Sequence, residues 1–215
     1  MILFLDTVSS LPEFSLIDDN KIIFSKKILK NSFDKMSDSI IPSYLELEKK
    51  FSLNSNLKLL LTNTGPGSYT ALRVGISFLS GLSVSKNIKL KGIPCCDLIS
   101  YVIPREKLNS SGIYINSSNN QNFICFFSNN KTFEIIKIEN NNLFKLDKKI
   151  ESIYTNGDSL NINIDLNNKV KIEKISFLEI IVKNLKNIYL LPEKAIIEPI
   201  YISNNKILNW SIDKN

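Results

Sequence analysis

The residues whose types and spacing could do chemistry in this 215-residue chain are concentrated in one stretch, Gly65-Pro66-Gly67-Ser68-Tyr69-Thr70-Ala71-Leu72-Arg73-Val74-Gly75. A glycine loop that opens a helix brings backbone N–H groups to a helix N-terminus, which attracts anions. A second candidate is Asp6-Thr7, an acid and a hydroxyl at the end of the apolar run Met1 to Leu5. Together they could be the remnant of a phosphate site in a phosphotransferase or ATPase. Several features oppose that chemistry. No GxxxxGK[ST] loop is present. No glycine follows Asp6 through Ile17, where a phosphate hairpin needs close backbone approach. Pro66 removes a donor from the other loop. No second carboxylate stands near Asp6 in sequence to share magnesium. Asp6 and Thr7 are therefore expected to fix loop geometry, and no catalytic, cofactor-binding or metal-ligating residue is assigned.

The residue types that are missing say as much. The chain has no histidine. That removes His-based proton transfer, Ser-His and Cys-His nucleophile pairs and the HExxH zinc motif. The cysteines are Cys95, Cys96 and Cys125. Their spacing is neither CxxC nor a disulfide framework, so they read as small buried thiols. The net charge of +6 raises a nucleic-acid partner. The lysines are dispersed rather than striped, and Arg73 and Arg105 are the sole arginines, so compositional bias accounts for the charge more simply. No apolar run reaches transmembrane length, and the N-terminus lacks a basic region with a small-residue cleavage site. The chain reads as cytoplasmic.

The elements that must hold the loop follow from pattern. Leu57 to Leu61 is a strand, and a helix runs from the loop past Leu82. Ser68 or Thr70 can cap it. Ala71, Gly75, Phe78 and Leu82 share one face of this helix, and Arg73, Ser77, Ser80 and Val84 the other. Arg73 is its single charge between residues 69 and 85. A solvated helix carries more charge than that, and the i,i+4 pairs Ala71/Gly75 and Ser77/Gly81 allow close approach. The helix is expected to be covered on both sides, by its own sheet and by a second chain. Arg73 is left to pair with a carboxylate in either chain, and Tyr69 reads as packing rather than as a base-stacking platform.

Around this unit the first hundred residues read β-β-β-α-β-α-β-α. The three leading strands are Met1–Thr7, Glu13–Ile17 and Lys21–Ser25. The first helix is capped by Ser32 or Ser37 and runs to about Phe51. Ile40, Tyr44, Leu47 and Phe51 form its stripe, and Ile41 and Leu45 widen it; taken alone, that stripe packs on its own sheet. Pro42 marks a start or a kink. A strand over Ile88–Ile93 and a helix from Cys95 to about Val102 complete the lobe. A boundary falls near Pro104, giving lobes 1–103 and 104–215. The second holds strands at Ile113–Ile115, Phe123–Phe127, Phe133–Ile138 and Ser152–Asp158. Its helix begins at Ser176, with Glu179 completing a capping box. Ile200-Tyr201-Ile202 is extended, and the last residues are expected to fray or to pack back on the first lobe, with Trp210 as a candidate anchor.

The Leu5-Asp6-Thr7 strand end, the order of the first lobe and the motif Gly65 to Gly75 resemble the TsaB (YeaZ-like) family. These are the subunits that accompany the tRNA threonylcarbamoyladenosine synthase. Its pattern GPGS-aromatic-T-small-L-R-apolar-G is matched at every position. Gly81, Gly92-Ile93 and Glu198-Pro199-Ile200-Tyr201 agree further. Departures are Met36-Ser37-Asp38 for His-Ser-Glu, Asn116-Ser117-Ser118 for Asp-Ala-Arg and Tyr201-Ile202-Ser203 for Tyr-Leu-Arg.

The resemblance implies an α/β fold of the actin/hexokinase-like (ASKHA) type, with two ribonuclease-H-like lobes. It implies a non-catalytic subunit pairing with a catalytic TsaD-type subunit through the first two helices, in threonylcarbamoylation of adenosine 37 of tRNAs that read ANN codons. A TsaE-type ATPase and tRNA are then partners at the level of the complex. ATP belongs to that level, with no cofactor held by this chain alone. Self-association through the same helix pair is left open. A metallopeptidase, an activity attached to relatives of the partner, finds no ligands here. The expected interface is Ile40, Ile41, Tyr44, Leu45, Leu72, Arg73, Ile76, Leu79 and Ser80. A charge at Ile76 or Leu79 is expected to break pairing and spare the fold.

Overall fold

The apolar run Ile2–Asp6 forms β1, buried at every position, at the centre of a five-stranded sheet in the computed structural model. Residues 1–29, 34–118, 121–128, 132–138, 150–158, 160, 170–193, 196–202 and 208–211 are described by it. β2 is Glu13–Asp18, β3 Lys21–Lys27, β4 Leu59–Asn63 and β5 Lys89–Ile93. Their order is β3-β2-β1-β4-β5. β1 and β2 pair antiparallel, as do β2 and β3, while β1-β4 and β4-β5 are parallel. Because alternate side chains point to opposite faces, Leu3 and Leu5 enter one core while Ile2 and Phe4 enter another.

Helices α1 (Met36–Phe51) and α3 (Tyr69–Lys86) cover the first of these faces, with the short α2 (Leu53–Asn56) between them in sequence. Phe14, Tyr44 and Phe78 knit β2, α1 and α3 together, with the Tyr44 and Phe78 ring centroids 5.3 Å apart. α1 starts after Lys35 without a side-chain cap; Ser37 lies inside its first turn and does not cap it, and Ser32 is outside the described residues. Pro42 sits in the second turn and the helix continues through it. α1 ends on Ser52 and α3 on Asn87, both in the left-handed conformation.

The other face of the first sheet meets α4 (Cys95–Ser100), α5 (Phe177–Lys183), α6 (Leu185–Leu190) and a second sheet, all sharing one core. Ser176 caps α5 by accepting from the Glu179 N–H, the sequence-predicted half of a capping box. The second sheet is built from β6 (Ser111–Ser117), β7 (Gln121–Ser128), β8 (Thr132–Ile138), β9 (Ser152–Thr155), β10 (Lys171–Lys174) and β11 (Leu208–Ser211). Its order is β10-β9-β6-β7-β8-β11. Without β11, this repeats the first sheet strand for strand, with two antiparallel pairings and then two parallel ones. The molecule is thus a two-lobed α/β fold of actin/hexokinase-like type.

Two strands escape the sequence pattern. β10, Lys-Ile-Glu-Lys, is a mostly exposed edge strand with no apolar run to announce it. β11 corrects the expectation for the tail. Residues 208–211 neither fray nor return to the first lobe but pair antiparallel with β8, Trp210 opposite Phe133. An uncovered strand edge offers a row of unpaired N–H and C=O groups, and the tail takes it.

Two small details hold large pieces in place. Lys91, on β5 and buried, donates its ammonium to the carbonyls of Ile188, Tyr189 and Leu191, at 3.3, 2.7 and 2.6 Å. It caps the end of α6. Gly75 lets α3 lie flush on the end of β1, where an added Cβ would fall 2.3 Å from Thr7 Cγ2. Gly81, six residues on, has nothing within 4 Å of such an atom. Lys91→Met should remove this donor from three carbonyls, leaving Ile188 O with its bond from the Leu191 N–H, and cost about 1–3 kcal/mol in urea denaturation. Gly75→Ala should destabilise by about 1–3 kcal/mol, overpacking outweighing helix propensity, whereas Gly81→Ala should gain up to about 1 kcal/mol. Equal effects at the two glycines would contradict this packing.

Candidate functional site

The glycine loop is where both lobes meet. Gly65 has φ +109° and is joined to Pro66 by a cis peptide bond. A Cβ there would lie 2.9 Å from the Ile200 carbonyl. Backbone bonds pin the loop from three sides: Thr64 N–H to Ile93 O at 3.0 Å, Cys95 N–H to Gly65 O at 2.9 Å and Ile200 N–H to Thr64 O at 2.7 Å. Ser68 is the N-cap residue of α3, yet its hydroxyl makes no capping bond. Instead its N–H donates to Ser117 Oγ at the end of β6, at 3.1 Å. Thr70 lies within the first turn and does not cap either. The loop is thus tied to β5, α4, β6 and the segment before Tyr201.

Asp6 closes the second candidate. Its Oδ1 accepts from the N–H groups of Val8 and Ser9, at 2.9 and 3.1 Å, and from Asn63 Nδ2 at 3.2 Å. Its Oδ2 accepts from the Ser9 hydroxyl at 2.6 Å. The hairpin amides of Val8 and Ser9 thus donate to the chain's own carboxylate. Burial nevertheless raises the Asp6 pKa, desolvation outweighing these bonds. Thr7 is fully buried beneath Gly75, its methyl in the packing contact described above. Asn156 extends the network across the lobes, donating to Ser9 Oγ at 3.2 Å and Asn116 O at 2.9 Å.

A cleft of about 350 Å³ lies beside Asp6, between Ser9, Lys27, Asn156, Lys174 and Phe177. Its lysines are engaged: Lys27 pairs with Glu13 at 2.7 Å and Lys174 with Asp158. Among the described residues no group of three or more Cys, Asp or Glu is placed to hold a metal.

At the outer end of the loop, Tyr69, Arg73 and Tyr201 form a cluster. The tyrosine centroids are 4.5 Å apart, and the Arg73 guanidinium lies 4.2 Å from the Tyr69 ring centroid. Arg73 Nε donates to the Tyr201 hydroxyl at 2.9 Å. The expected carboxylate partner is replaced by a phenol from 128 residues away. Tyr201 and Ser117 were not assigned roles from sequence; bonds over such separations leave no local signal.

The interface residues divide. Ile40, Tyr44, Leu72 and Leu79 are buried in their own chain, and Ile76, 5% exposed, lines a surface groove with Arg73, Ser77 and Tyr201. Burial, with Glu48 nearby, pushes the Tyr44 phenol up to about 12. A charge at Leu79, which is 0% exposed, would break the fold and not merely an interface, which corrects the expectation for Leu79. Ile41 and Leu45 do not pack on the sheet: they are 54% and 53% exposed. Arg73, Ser77 and Gly81 are exposed with them, Ser80 is half-buried, and Val84 is 84% exposed. Of the α1 charges, Glu46 pairs with Lys26, Glu48 with Lys86 at 2.9 Å, and Lys50 lies over the Phe24 ring, while Asp38 and Lys49 are exposed one turn to either side of Ile41 and Leu45.

Two lobes that repeat one strand order around a shared cleft define an actin/hexokinase-like fold. Residues 32–204 match the family described as "TsaD: tRNA N6-adenosine threonylcarbamoyltransferase". The chain belongs to that family. Its fold is that of YeaZ from Pseudomonas aeruginosa, with a TM-score of 0.58 at 11% identity over 94% of this chain and 99% of that one. A second structure, of an uncharacterized protein with similarity to peptidase YeaZ from the same organism, superposes with a TM-score of 0.59 at 11% identity and the same coverages. No curated protein sequence matches the chain significantly. No helix among the described residues is long and apolar enough to cross a membrane.

Asp6 binds its proton more tightly in the folded chain than in the unfolded one. Its contribution to stability is thus full below about pH 4 and falls as pH rises through the raised folded-state value. Asp6→Asn should abolish that decline, so urea midpoints of variant and parent should shift in the variant's favour as pH rises. Asp6→Ala should cost at least about 2 kcal/mol at any pH, because buried donors lose their acceptor.

Proposed function

We propose that this chain is a YeaZ-like, TsaB-type subunit of threonylcarbamoyladenosine synthesis on tRNA. It serves as a scaffold, with the chemistry carried by a TsaD-type subunit that it pairs with. The observation that carries this reading is the outer surface of α1 and α3. Ile41, Leu45 and Val84 are exposed beside Ser77 and Gly81, with Arg73 as the single charge on the α3 side. Exposed apolar and small side chains with few charges among them have the composition of an interface core. The small residues allow a partner helix to approach closely. Support for a non-catalytic role comes from Asp6, whose carboxylate accepts from the hairpin amides of Val8 and Ser9.

In the assembled enzyme the modified base is adenosine 37 of tRNAs reading ANN codons. A TsaE-type ATPase and tRNA join through the complex, and ATP is used there rather than held by this chain. Without its partner, the same patch can pair with a second copy by two-fold symmetry.

Size-exclusion chromatography with light scattering, on the chain alone and with the TsaD-type subunit of the same host, tests the reading. A one-to-one complex is expected. Ile41→Asp combined with Leu45→Lys, and separately Val84→Glu, should weaken pairing at least ~10-fold while the melting temperature stays within about 2 °C of the parent, since exposed positions carry little folding energy. Leu79→Asp should unfold the isolated chain. Wild-type affinity in the exposed-site variants, or ATP turnover by the chain alone, would overturn the proposal.

A further inference from the structure

The core shared by the lobes contains a thiol pair that neither the loop nor the helix face uses. Cys96 stands on α4, directly after the last strand of the first sheet, and Cys125 on β7, inside the second. Their relative exposures are 1% and 0%, and their sulfurs are 2.7 Å apart. Two sulfurs in van der Waals contact sit well beyond that distance. A covalent bond needs a further approach of only about 0.7 Å. Cys95, the next residue, is also buried, but successive side chains on a helix are set about 100° apart. Its backbone N–H is committed to the Gly65 carbonyl.

From this geometry we propose that Cys96 and Cys125 are a disulfide-forming pair, a modification site that bolts the first lobe to the second. The oxidant is a small peroxide. One sulfur, deprotonated, attacks the peroxide: an S–O bond forms, the O–O bond breaks and one water leaves. The second sulfur then attacks the resulting sulfenic acid, so that the S–S bond forms, the S–O bond breaks and a second water leaves. Two thiols and one hydrogen peroxide give one disulfide and two waters, two electrons passing from sulfur to oxygen.

Burial, with Cys125 close by, holds the Cys96 thiol well above its ordinary pKa, so the closed protein reacts slowly. Reaction requires the six-residue α4 to lift. Once made, the same burial shields the bond from thiol reductants. The link would close a loop across 29 positions of sequence, from α4 to β7, and so restrain the unfolded chain strongly.

The test uses the full chain, oxidised with hydrogen peroxide in two ways: folded, and while refolding from denaturant so that access is not limiting. Free thiols are then alkylated under denaturing conditions, and the protein is digested without reductant. The expected product is a peptide pair joined through Cys96 and Cys125, with Cys95 alkylated. Cys95→Ser should leave the link intact and Cys96→Ser should abolish it. The linked form should melt about 5–10 °C above the reduced form. A Cys96–Cys125 link from either protocol supports the proposal. Absence of the link from both, or a link that runs through Cys95, overturns it.

Discussion

The structure depends on the pinning of residues 64–68. At Gly65 the chain turns with positive φ between the Ile200 carbonyl and the Leu72 side chain, and only a residue without Cβ fits there. Because Thr64 and Gly65 bond to Ile93, Cys95 and Ile200, and Ser68 to Ser117, three distant parts of the chain are fixed by one five-residue loop. A catalytic phosphate loop must leave its donors free. This loop spends its polar groups on the fold. Its products are the entry angle of α3 and the position of Tyr201 beside Arg73, both of which shape the outer surface.

The same economy governs α3. Gly75 and Ala71 let the helix settle on β1, and Leu72, Ile76, Leu79 and Leu82 fill the core beneath it. What remains for the outside beyond the first turn is Arg73, Ser77, Gly81, Val84 and Ser85. Such a face gains little from water, lacking the charge of a solvated helix. Beside it, α1 turns Ile40, Tyr44 and Leu47 inward and leaves Ile41 and Leu45 out. The two helices are held to each other by the Tyr44–Phe78 ring contact and the Lys86–Glu48 pair, so the proposed docking surface comes preformed and need not be ordered on binding.

Much of this was legible in the sequence, because apolar period, glycine position and capping residues are local signals. β1 and β4 are continuous apolar runs because both their faces are covered, and Ser176 followed by Glu179 marked α5 correctly. The face of α1 was not legible. Ile40, Ile41, Tyr44, Leu45 and Leu47 together span too wide an arc for periodicity to separate inside from outside. The sheet decides, taking Ile40 and refusing Ile41. On α3 the apolar positions Ile76 and Leu79 look as suitable for a partner as for a core, and close packing over Gly75 assigns Leu79 to the core. β10 and β11 were missed because an edge strand follows from an open neighbour rather than from its own composition.

The two lobes repeat one strand order, yet their junction is asymmetric. At the cleft they meet through polar groups: Asp6, Ser9, Asn156 and Asn116 form a chain of hydrogen bonds from β1 to the turn after β9. Away from it they share an apolar core in which α4, α5 and β7 interlock. Across the cleft run the bonds from Asn156 Nδ2 to Ser9 Oγ and from the Ser68 N–H to Ser117 Oγ, whereas the Asp6, Lys27 and Lys174 contacts each lie within one lobe. The helix pair proposed for docking lies on the side of the first sheet facing away from the second lobe.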